Sequence, residues 1–483
     1  MPSPRCFWPS EIVSAPHPMS TFYSDPAVRQ RLVEFLGGDS LDAASAVYVT
    51  HSDGCLFQRS ELHPPRELQW FLDRNLDIAR SIADRKSLLL HLDIEYVNFD
   101  SPGEALTNPA RAFCLQEPVV RAIEALLLEW GIAPLHMITG QGHHFVWRVG
   151  VESGVAFGIA ALMPSAELVA ACMERVGEGV DISVDQQMTF SGMALLMEYL
   201  AHRIKWVAAP LAEVPVEITA VHVGHCTGRN SREIISVDIS EYGDPLHTRM
   251  IRMPYTHYLK PWLTGLARDM GIEEQLPHFR SIPLHEMDVQ QALECRADEG
   301  SVKELARRAG GRIPLQEEGT ARMLAEYMGS PLRRFHQKFY SVNHHPKSTW
   351  AETYDTMPHE SLSPCVSLLL DDPNDRLLKP AGMQLVTRAL LAVGWHPRHI
   401  AGLIRSKFEN PAYGWGVDWA EYEAGTRADF YVRLFAGLWE TGVDELVDFN
   451  CISTAEKGFC SGLPHDMCSL RPYYETLRKS KEP

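Results

Sequence analysis

The sequence predicts an α+β protein in which a core built on a mixed sheet precedes a mostly α-helical C-terminal region that contains cysteines. Three observations predict this class. Apolar, strand-like segments alternate with segments of helical periodicity up to about residue 253, as in a mixed core. From Ser363 onward the pattern is almost wholly helical. Four of the ten cysteines lie in that last part of the chain.

The composition limits the class of protein. With 483 residues the chain is too long for one ordinary core, so we expect two or three domains. No stretch approaches the roughly 18 uninterrupted apolar residues of a membrane span, and Met1–Ser20 lacks a signal-peptide pattern. Ten cysteines without a secretory context argue against a disulfide framework. We therefore expect a cytoplasmic protein without membrane contact.

The elements of the N-terminal half follow from periodicity and from glycine stop signals. Gly131 marks the end of a helix, and Thr139–Gly142 separates two strands. The predicted elements are, in order, a helix at Pro64–Asp84, a strand at Ser87–Glu95, a helix at Glu117–Trp130, strands at Leu135–Ile138 and His144–Val149, helices at Ser165–Val176 and Ser191–Trp206, and strands at Val216–Val223, Arg232–Ile239 and His247–Met253.

Residues 286–310 are polar, charged and helical in pattern, which indicates a domain boundary. We accordingly expect one domain at residues 1–285, a helical and basic linker at 286–355, and a second, helical domain at 356–483.

Two carboxylates at the end of an apolar strand are the first chemical signal. Alternate side chains of a strand share a face, so Asp93 and Glu95 point the same way as His91, while Leu92 and Ile94 point into the core. Two carboxylates on one face repel each other, and the usual reason to tolerate that cost is a divalent cation.

The second signal is the turn Thr139–His144. Gly140 and Gly142 allow close approach of the backbone, whose amides can bind a phosphate, and His144 at the exit can donate to a phosphate oxygen. Taken alone, such a turn is weak evidence, and a plain hairpin is its more common explanation.

A third carboxylate, Asp238, lies in the apolar segment Ile234–Ser240. Taken singly, it is also explained as a cap at a strand end. Arg252 and Lys260 follow, and they would supply positive charge facing a triphosphate.

The order of these signals resembles the archaeo-eukaryotic primase superfamily, which comprises the small catalytic subunit of primases and the primase-polymerases. The resemblance covers roughly residues 40–265, with Thr139 at a position where the family often has serine. It implies a primase-type, RRM-like mixed-sheet core and a nucleotidyltransferase that uses Mg²⁺ or Mn²⁺. Within the doublet His143-His144, the family's spacing selects His144. The implied roles are catalytic and metal-binding for Asp93, Glu95 and Asp238, and nucleotide-binding for Thr139, Gly140, Gly142, His144, Arg252 and Lys260.

The C-terminal cysteines are Cys365, Cys451, Cys460 and Cys468. Four thiols gathered by a helical fold suggest a metal site, although no C-x-x-C pair is present and unpaired buried cysteines remain the alternative. Pro364-Cys365 before an apolar helix resembles the C-terminal iron-sulfur domain of the primase large subunit. That resemblance implies a [4Fe–4S] cluster on the four cysteines, with Zn²⁺ left open because the last two spacings are short.

Between these parts the chain is locally basic, because residues 301–350 carry 9 Lys+Arg against 4 Asp+Glu within a protein of net charge −17. Cations and aromatics alternate there, and Arg333, Arg334 and Lys338 are candidates for contacting nucleic acid. An amphipathic helix that packs on either domain explains the same pattern.

The function that these signals predict is that of a DNA primase or primase-polymerase, which makes or extends primers on single-stranded DNA from NTPs or dNTPs. Two alternatives stay open: a catalytically silent nucleic-acid-binding protein with the primase fold, and another metal-dependent phosphotransferase or nuclease. Because the net charge is −17, we expect weak intrinsic affinity for DNA and a recruiting partner such as a helicase.

Overall fold

The structure is a computed structural model that describes residues 21–52, 62–162, 165–177, 180–225, 232–356, 362–373, 375–413, 422–460, 462 and 468–481. The predicted absence of a signal peptide at Met1–Ser20 concerns residues outside these ranges. The chain is 52% helical and 12% strand with a mixed sheet, so the α+β class is confirmed.

Six strands form the main sheet and three form a smaller one. The strands are β1 (Val49–His51), β2 (Ile78–Ser81), β3 (Ser87–Asn98), β4 (Leu135–Ile138), β5 (Gly142–Gly150), β6 (Val216–Ile218), β7 (Glu233–Asp238), β8 (Met250–Arg252) and β9 (Ile282–Pro283). The main sheet has the order β6-β7-β3-β5-β4-β9, and the smaller one β1-β2-β8. Only the β6–β7 pair among these strands is parallel, which makes the main sheet mixed.

The helices of the described residues surround these sheets and form most of the C-terminal half. They are α1 (Pro26–Phe35), α2 (Leu68–Asp73), α3 (Glu104–Thr107), α4 (Pro109–Trp130), α5 (Gly154–Ala160), α6 (Ala166–Met173), α7 (Val184–Ala208), α8 (Lys260–Leu263), α9 (Leu266–Asp269), α10 (Val289–Cys295), α11 (Glu299–Arg308), α12 (Glu317–Gly329), α13 (Pro331–Phe339), α14 (Pro364–Asp371), α15 (Asp375–Leu378), α16 (Pro380–Ala392), α17 (Pro397–Phe408), α18 (Ala424–Glu440), α19 (Cys451–Glu456) and α20 (Arg471–Lys479).

Most predicted elements of the N-terminal half are present, with shifted ends. The helix predicted at Glu117–Trp130 is the second half of α4, and Gly131 ends it with a positive φ of 69°. The prediction of one helix at Pro64–Asp84 is wrong, because α2 ends at Asp73 and Ile78–Ser81 is a strand. All four residues of that strand, Ile78-Ala79-Arg80-Ser81, are buried, so it lacks the alternation of apolar and polar residues by which a strand is told from a helix.

Strand β3 is the centre of the fold. It pairs with β5 on one side and β7 on the other, and helices α4 and α7 pack on it. The face that carries Ile94 is covered by α4, where the ring of Phe113 lies 5.1 Å from that of His143. The opposite face carries His91, Asp93 and Glu95.

The segment predicted as a linker is packed into the protein. One hydrophobic core contains residues from Phe22 to Leu477 and includes side chains of residues 286–355, among them Leu305, Met323 and Phe335. The predicted boundaries at 285 and 355 therefore fall within continuous packing.

A buried ion cluster joins the two halves of the chain. Glu198 on α7 is fully buried and accepts from Arg433 on α18 at 2.8 Å, and it lies 3.1 Å from His336 Nε2 on α13. Burial raises the pKa of Glu198, but the interactions with Arg433, His336 and His202 together outweigh it and lower the pKa to about 2. Removing one partner would leave an uncompensated buried charge, so α7, α13 and α18 depend on one another.

Among the residues that the structure describes, no helix is both long and apolar enough to cross a membrane.

Candidate active site

Strand pairing brings three of the predicted residues into one row across the main sheet. Asp93 lies opposite His144 on β5 and opposite Asp238 on β7. Directly paired residues share a face, and Glu95 is on the same face two residues along β3. The side chains of Asp93 and Glu95 are 21% and 24% exposed, so solvent reaches this face.

A glycine determines how closely β5 approaches β3. A Cβ atom on Gly142 would lie 1.7 Å from the carbonyl oxygen of Ile94, which no side chain could tolerate. Gly142 pairs with Glu95, and the register that follows places His144 beside Asp93. The glycine therefore serves the strand pairing that assembles the row.

The row concentrates negative charge. His144 Nε2 lies 3.3 Å from Asp93 Oδ1. Burial raises the pKa of Asp93, yet the interactions with His144, His91 and Lys260 together outweigh it and lower the pKa to about 2. Burial and then repulsion from Asp93 raise the pKa of Asp238 to about 6. Asp93 Oδ1 is buried, and apart from this contact with His144 it has no hydrogen-bond partner within the described part of the chain.

The two histidines of the doublet lie on opposite faces of β5. His144 faces the carboxylates, whereas His143 lies against α4 with its Nδ1 2.9 Å from His136 Nε2. Burial lowers the pKa of His143 well below the ordinary histidine value. Of the two, only His144 is placed to act at the row.

His91, which sequence analysis leaves without a role, has a partner beside the row. Its Nδ1 lies 2.9 Å from Glu241, and the Tyr242 hydroxyl donates to its carbonyl oxygen at 2.9 Å. Burial lowers the pKa of His91, but the interactions with Glu241, Asp93 and Asp238 together outweigh it, so the pKa is raised. Sequence analysis missed Glu241, whose only signal is its position three residues after Asp238.

The two predicted cations border the row. Lys260 Nζ lies 3.8 Å from Glu95 Oε1, and attraction from Glu95 raises the pKa of Lys260. The guanidinium of Arg252 lies over the ring of Tyr258, 4.6 Å from its centroid. The Tyr258 hydroxyl donates to Gln141 Oε1 at 3.3 Å, which connects this cationic edge to the predicted turn.

The turn between β4 and β5 is a closed hairpin. Thr139 is 2% exposed, and its hydroxyl donates to the carbonyl of Gly142 at 3.2 Å. A Cβ on Gly140 would lie 2.0 Å from the ring of Tyr258. Buried Arg296, which sequence analysis missed, donates to the Thr139 carbonyl. Packing within the protein thus explains Gly140, Gly142 and Thr139 without a bound phosphate, as the plain-hairpin alternative expects.

The four C-terminal cysteines come from separate segments and interact with one another. Cys468 lines the same cavity as Pro364, which directly precedes Cys365, and the backbone amide of Leu470 donates to Cys451 Sγ at 3.4 Å. Burial and then repulsion from Cys451 raise the pKa of Cys468, and Cys460 adds to that repulsion. Burial also raises the pKa of Cys365 to about 11, and both Cys468 and Cys451 contribute. The thiols are therefore neighbours.

The predicted nucleic-acid contacts lie on α13, whose aromatic side chains are in the core. Phe335 and Phe339 are buried, so they are not available to stack on bases, and the idea of alternating cations and stacking aromatics is wrong for this helix. Arg334 and Lys338 are exposed, with Lys338 Nζ 3.3 Å from Glu440. Arg333 lies over the ring of Tyr327. This is the packing expected of an amphipathic helix.

In the described ranges no group of three or more His, Cys, Asp or Glu side chains is arranged to hold a metal ion. The carboxylates share a face and the cysteines are neighbours, but neither set forms a closed ligand sphere.

No protein-family model, no curated protein and no solved structure matches this chain. The predicted family and its site therefore depend on the residues and geometry alone.

The repulsion within the row predicts that Asp238→Asn stabilises the protein. A carboxyl whose pKa is raised on folding destabilises the folded state at pH values above its folded pKa. The destabilisation disappears as the pH falls toward the pKa of the unfolded state. With a folded pKa of about 6, we expect a gain of roughly 1–3 kcal/mol in the free energy of unfolding at pH 7.5 and little gain at pH 4. Urea denaturation at both pH values measures it, with Asp181→Asn as an exposed control. Destabilisation by Asp238→Asn at pH 7.5 would contradict the raised pKa.

Proposed function

We propose that this protein is a nucleotidyltransferase of the primase or primase-polymerase type that makes or extends primers on single-stranded DNA. The observation that carries the proposal is the row of His144, Asp93 and Asp238 with Glu95 beside it and Lys260 at its edge. Acids next to cations are what phosphoryl transfer requires, since the phosphates need both metal ions and positive side chains. The α+β fold with a mixed sheet is compatible with a primase-type, RRM-like core.

The residues of the row fit a divalent metal ion in chemistry. Their donors are carboxylate oxygens, which Mg²⁺ and Mn²⁺ prefer. Apart from its 3.3 Å contact with His144 Nε2, Asp93 Oδ1 is buried without a hydrogen-bond partner among the described residues, as an oxygen available to a cation would be. Asp93, Glu95 and Asp238 would hold the metal. When bound, it would neutralise phosphate charge and lower the pKa of the primer hydroxyl.

The side chains of the chain itself bind and orient the substrates. Lys260 and Arg252 would bind the phosphates of the incoming NTP or dNTP, because they are the cations that border the acids. His144 would hold Asp93 in place and donate to a phosphate oxygen from the same face. Gly140, Gly142 and Thr139 would act indirectly, by shaping the hairpin that presents His144.

The cysteines fit an iron-sulfur cluster in donor type and number, because four thiolates are the usual ligands of such a cluster. The thiols repel one another when they are ionised. We propose that Cys365, Cys451, Cys460 and Cys468 hold a [4Fe–4S] cluster, with Zn²⁺ as the alternative, in a domain resembling that of the primase large subunit. Helix α18 of this C-terminal region packs on the 3₁₀ turn Ser240–Gly243, which begins two residues after Asp238.

The proposed DNA contacts are Arg333, Arg334 and Lys338. Because the net charge is −17, affinity for DNA would be weak and fall steeply with salt, so a partner such as a helicase would recruit the protein in the cytoplasm.

Incubation with a single-stranded template, labelled nucleotides and Mn²⁺ tests this function. We expect new phosphodiester product, and we expect Asp238→Ala to reduce it at least about 100-fold because an acid of the row is lost. The control is Asp181→Ala, which removes a carboxylate that is 81% exposed and outside the row.

Full extension by Asp238→Ala would overturn the assignment. A gel shift without product would favour the silent DNA-binding alternative, and degradation of the template would favour a nuclease.

The absorbance spectrum of anaerobically purified protein tests the cysteine site. A [4Fe–4S] cluster gives a brown sample with a broad visible band, and we expect Cys365→Ser to remove it because a ligand is lost. Cys114→Ser, which changes an exposed cysteine elsewhere, should leave the band unchanged. A colourless sample with bound zinc would assign the site to Zn²⁺, and a sample with neither metal would contradict a metal site.

A further inference from the structure

A buried carboxylate, Asp77, connects the two cations at the edge of the row. It lies just before β2 and is fully buried. Its Oδ1 accepts from Arg252 Nε at 2.9 Å, and its Oδ2 accepts from the backbone amide of Leu259 at 3.0 Å. Leu259 directly precedes Lys260, so one carboxylate holds the Arg252 side chain and the start of the Lys260 helix.

The remaining contacts of Arg252 fix its orientation. Nη2 donates to Ser52 Oγ at 3.0 Å, and the guanidinium plane lies over Tyr258. Nη1 makes no hydrogen bond to any residue that the structure describes. Two sides of the guanidinium are thus tied to the fold, and one nitrogen is left for a ligand. Tyr258, over whose ring the guanidinium lies, is two residues before Lys260, and Lys260 Nζ lies 3.8 Å from Glu95 Oε1 beside the row.

A second buried Asp–Arg pair in the same region is used differently. Arg80 Nη2 donates to Asp84 Oδ2 at 2.8 Å, and both side chains are at most 2% exposed. The other nitrogens of Arg80 donate to the carbonyls of Ser81 and Phe35. Every nitrogen of Arg80 is therefore used inside the fold, which is what a structural pair requires.

We propose that Asp77 is a positioning residue that holds Arg252 and Lys260 in a fixed relation, so that together they bind the triphosphate of a nucleotide. The inference rests on the proposed function and deepens it by naming the part of the substrate that this edge recognises. A guanidinium and an ammonium held in advance lose less side-chain freedom when a triphosphate binds.

Asp77→Asn and Asp84→Asn form a matched pair of variants. Each replaces the charge of a buried Asp–Arg pair by a neutral group of the same shape, and only the first pair includes a proposed ligand residue. Isothermal titration with a non-hydrolysable nucleoside triphosphate and Mn²⁺ measures affinity. We expect Asp77→Asn to weaken binding about tenfold, the usual effect of losing a charge-assisted hydrogen bond, and Asp84→Asn to leave it unchanged.

Titration with a nucleoside monophosphate, which lacks the β- and γ-phosphates, distinguishes a loss of triphosphate recognition from general damage to the nucleotide site. Its affinity should be equal in both variants and the wild type. In primer extension, Asp77→Asn should raise KM for nucleotide about tenfold with kcat within about twofold. Thermal melting of both variants measures any loss of stability, so that an effect of unfolding on affinity can be recognised.

Equal triphosphate affinity of Asp77→Asn and Asp84→Asn would overturn the positioning role and leave the proposed function standing. Equal weakening toward triphosphate and monophosphate would also overturn it. If the wild type binds no triphosphate at all, the proposed function fails first, and the role of Asp77 fails with it.

Discussion

The register of β3 between its two neighbours is the constraint on which the candidate site depends. Asp93 meets His144 on one side and Asp238 on the other only because β5 and β7 pair with β3 at these positions. A slip by one residue would turn His144 to the opposite face and bring His143 to the acids. Gly142, in contact with the carbonyl of Ile94, is the residue that allows this close pairing.

The row is electrostatically unfavourable, and the surrounding structure compensates for it. Asp238 carries a raised pKa because it is buried beside Asp93, whereas Asp93 is stabilised by His144. The positive charges of Lys260 and of Arg252, which is paired with Asp77, reduce the negative potential at the edge of the row. In the buried cluster away from the row, Glu198 is paired directly with Arg433 and His336. At the row, by contrast, two carboxylates, Asp93 and Asp238, lie side by side, and strain of this kind is typical of function.

Sequence patterns predicted the parts of this arrangement that are local. The alternation in Ser87–Glu95 predicted β3 and the shared face of its acids, and Gly131 predicted the end of α4. The patterns did not predict contacts between distant segments. Asp77 and Arg252 are 175 residues apart, and His91 and Glu241 are 150 apart, so neither pair leaves a signal of spacing. On α13, Phe335 and Phe339 lie four residues apart on one helical face, a pattern that favours burial over base stacking.

The position of Mn²⁺ in crystals of the protein soaked with the ion is the most direct measurement of the central claim, because manganese gives an anomalous signal that locates it. We predict an anomalous peak about 2.1–2.3 Å from carboxylate oxygens of Asp93 and Asp238, and its loss in crystals of Asp238→Asn. A well-occupied Mn²⁺ elsewhere with none at the row, or no ion bound to Asp93, would contradict the claim that these acids form the metal site.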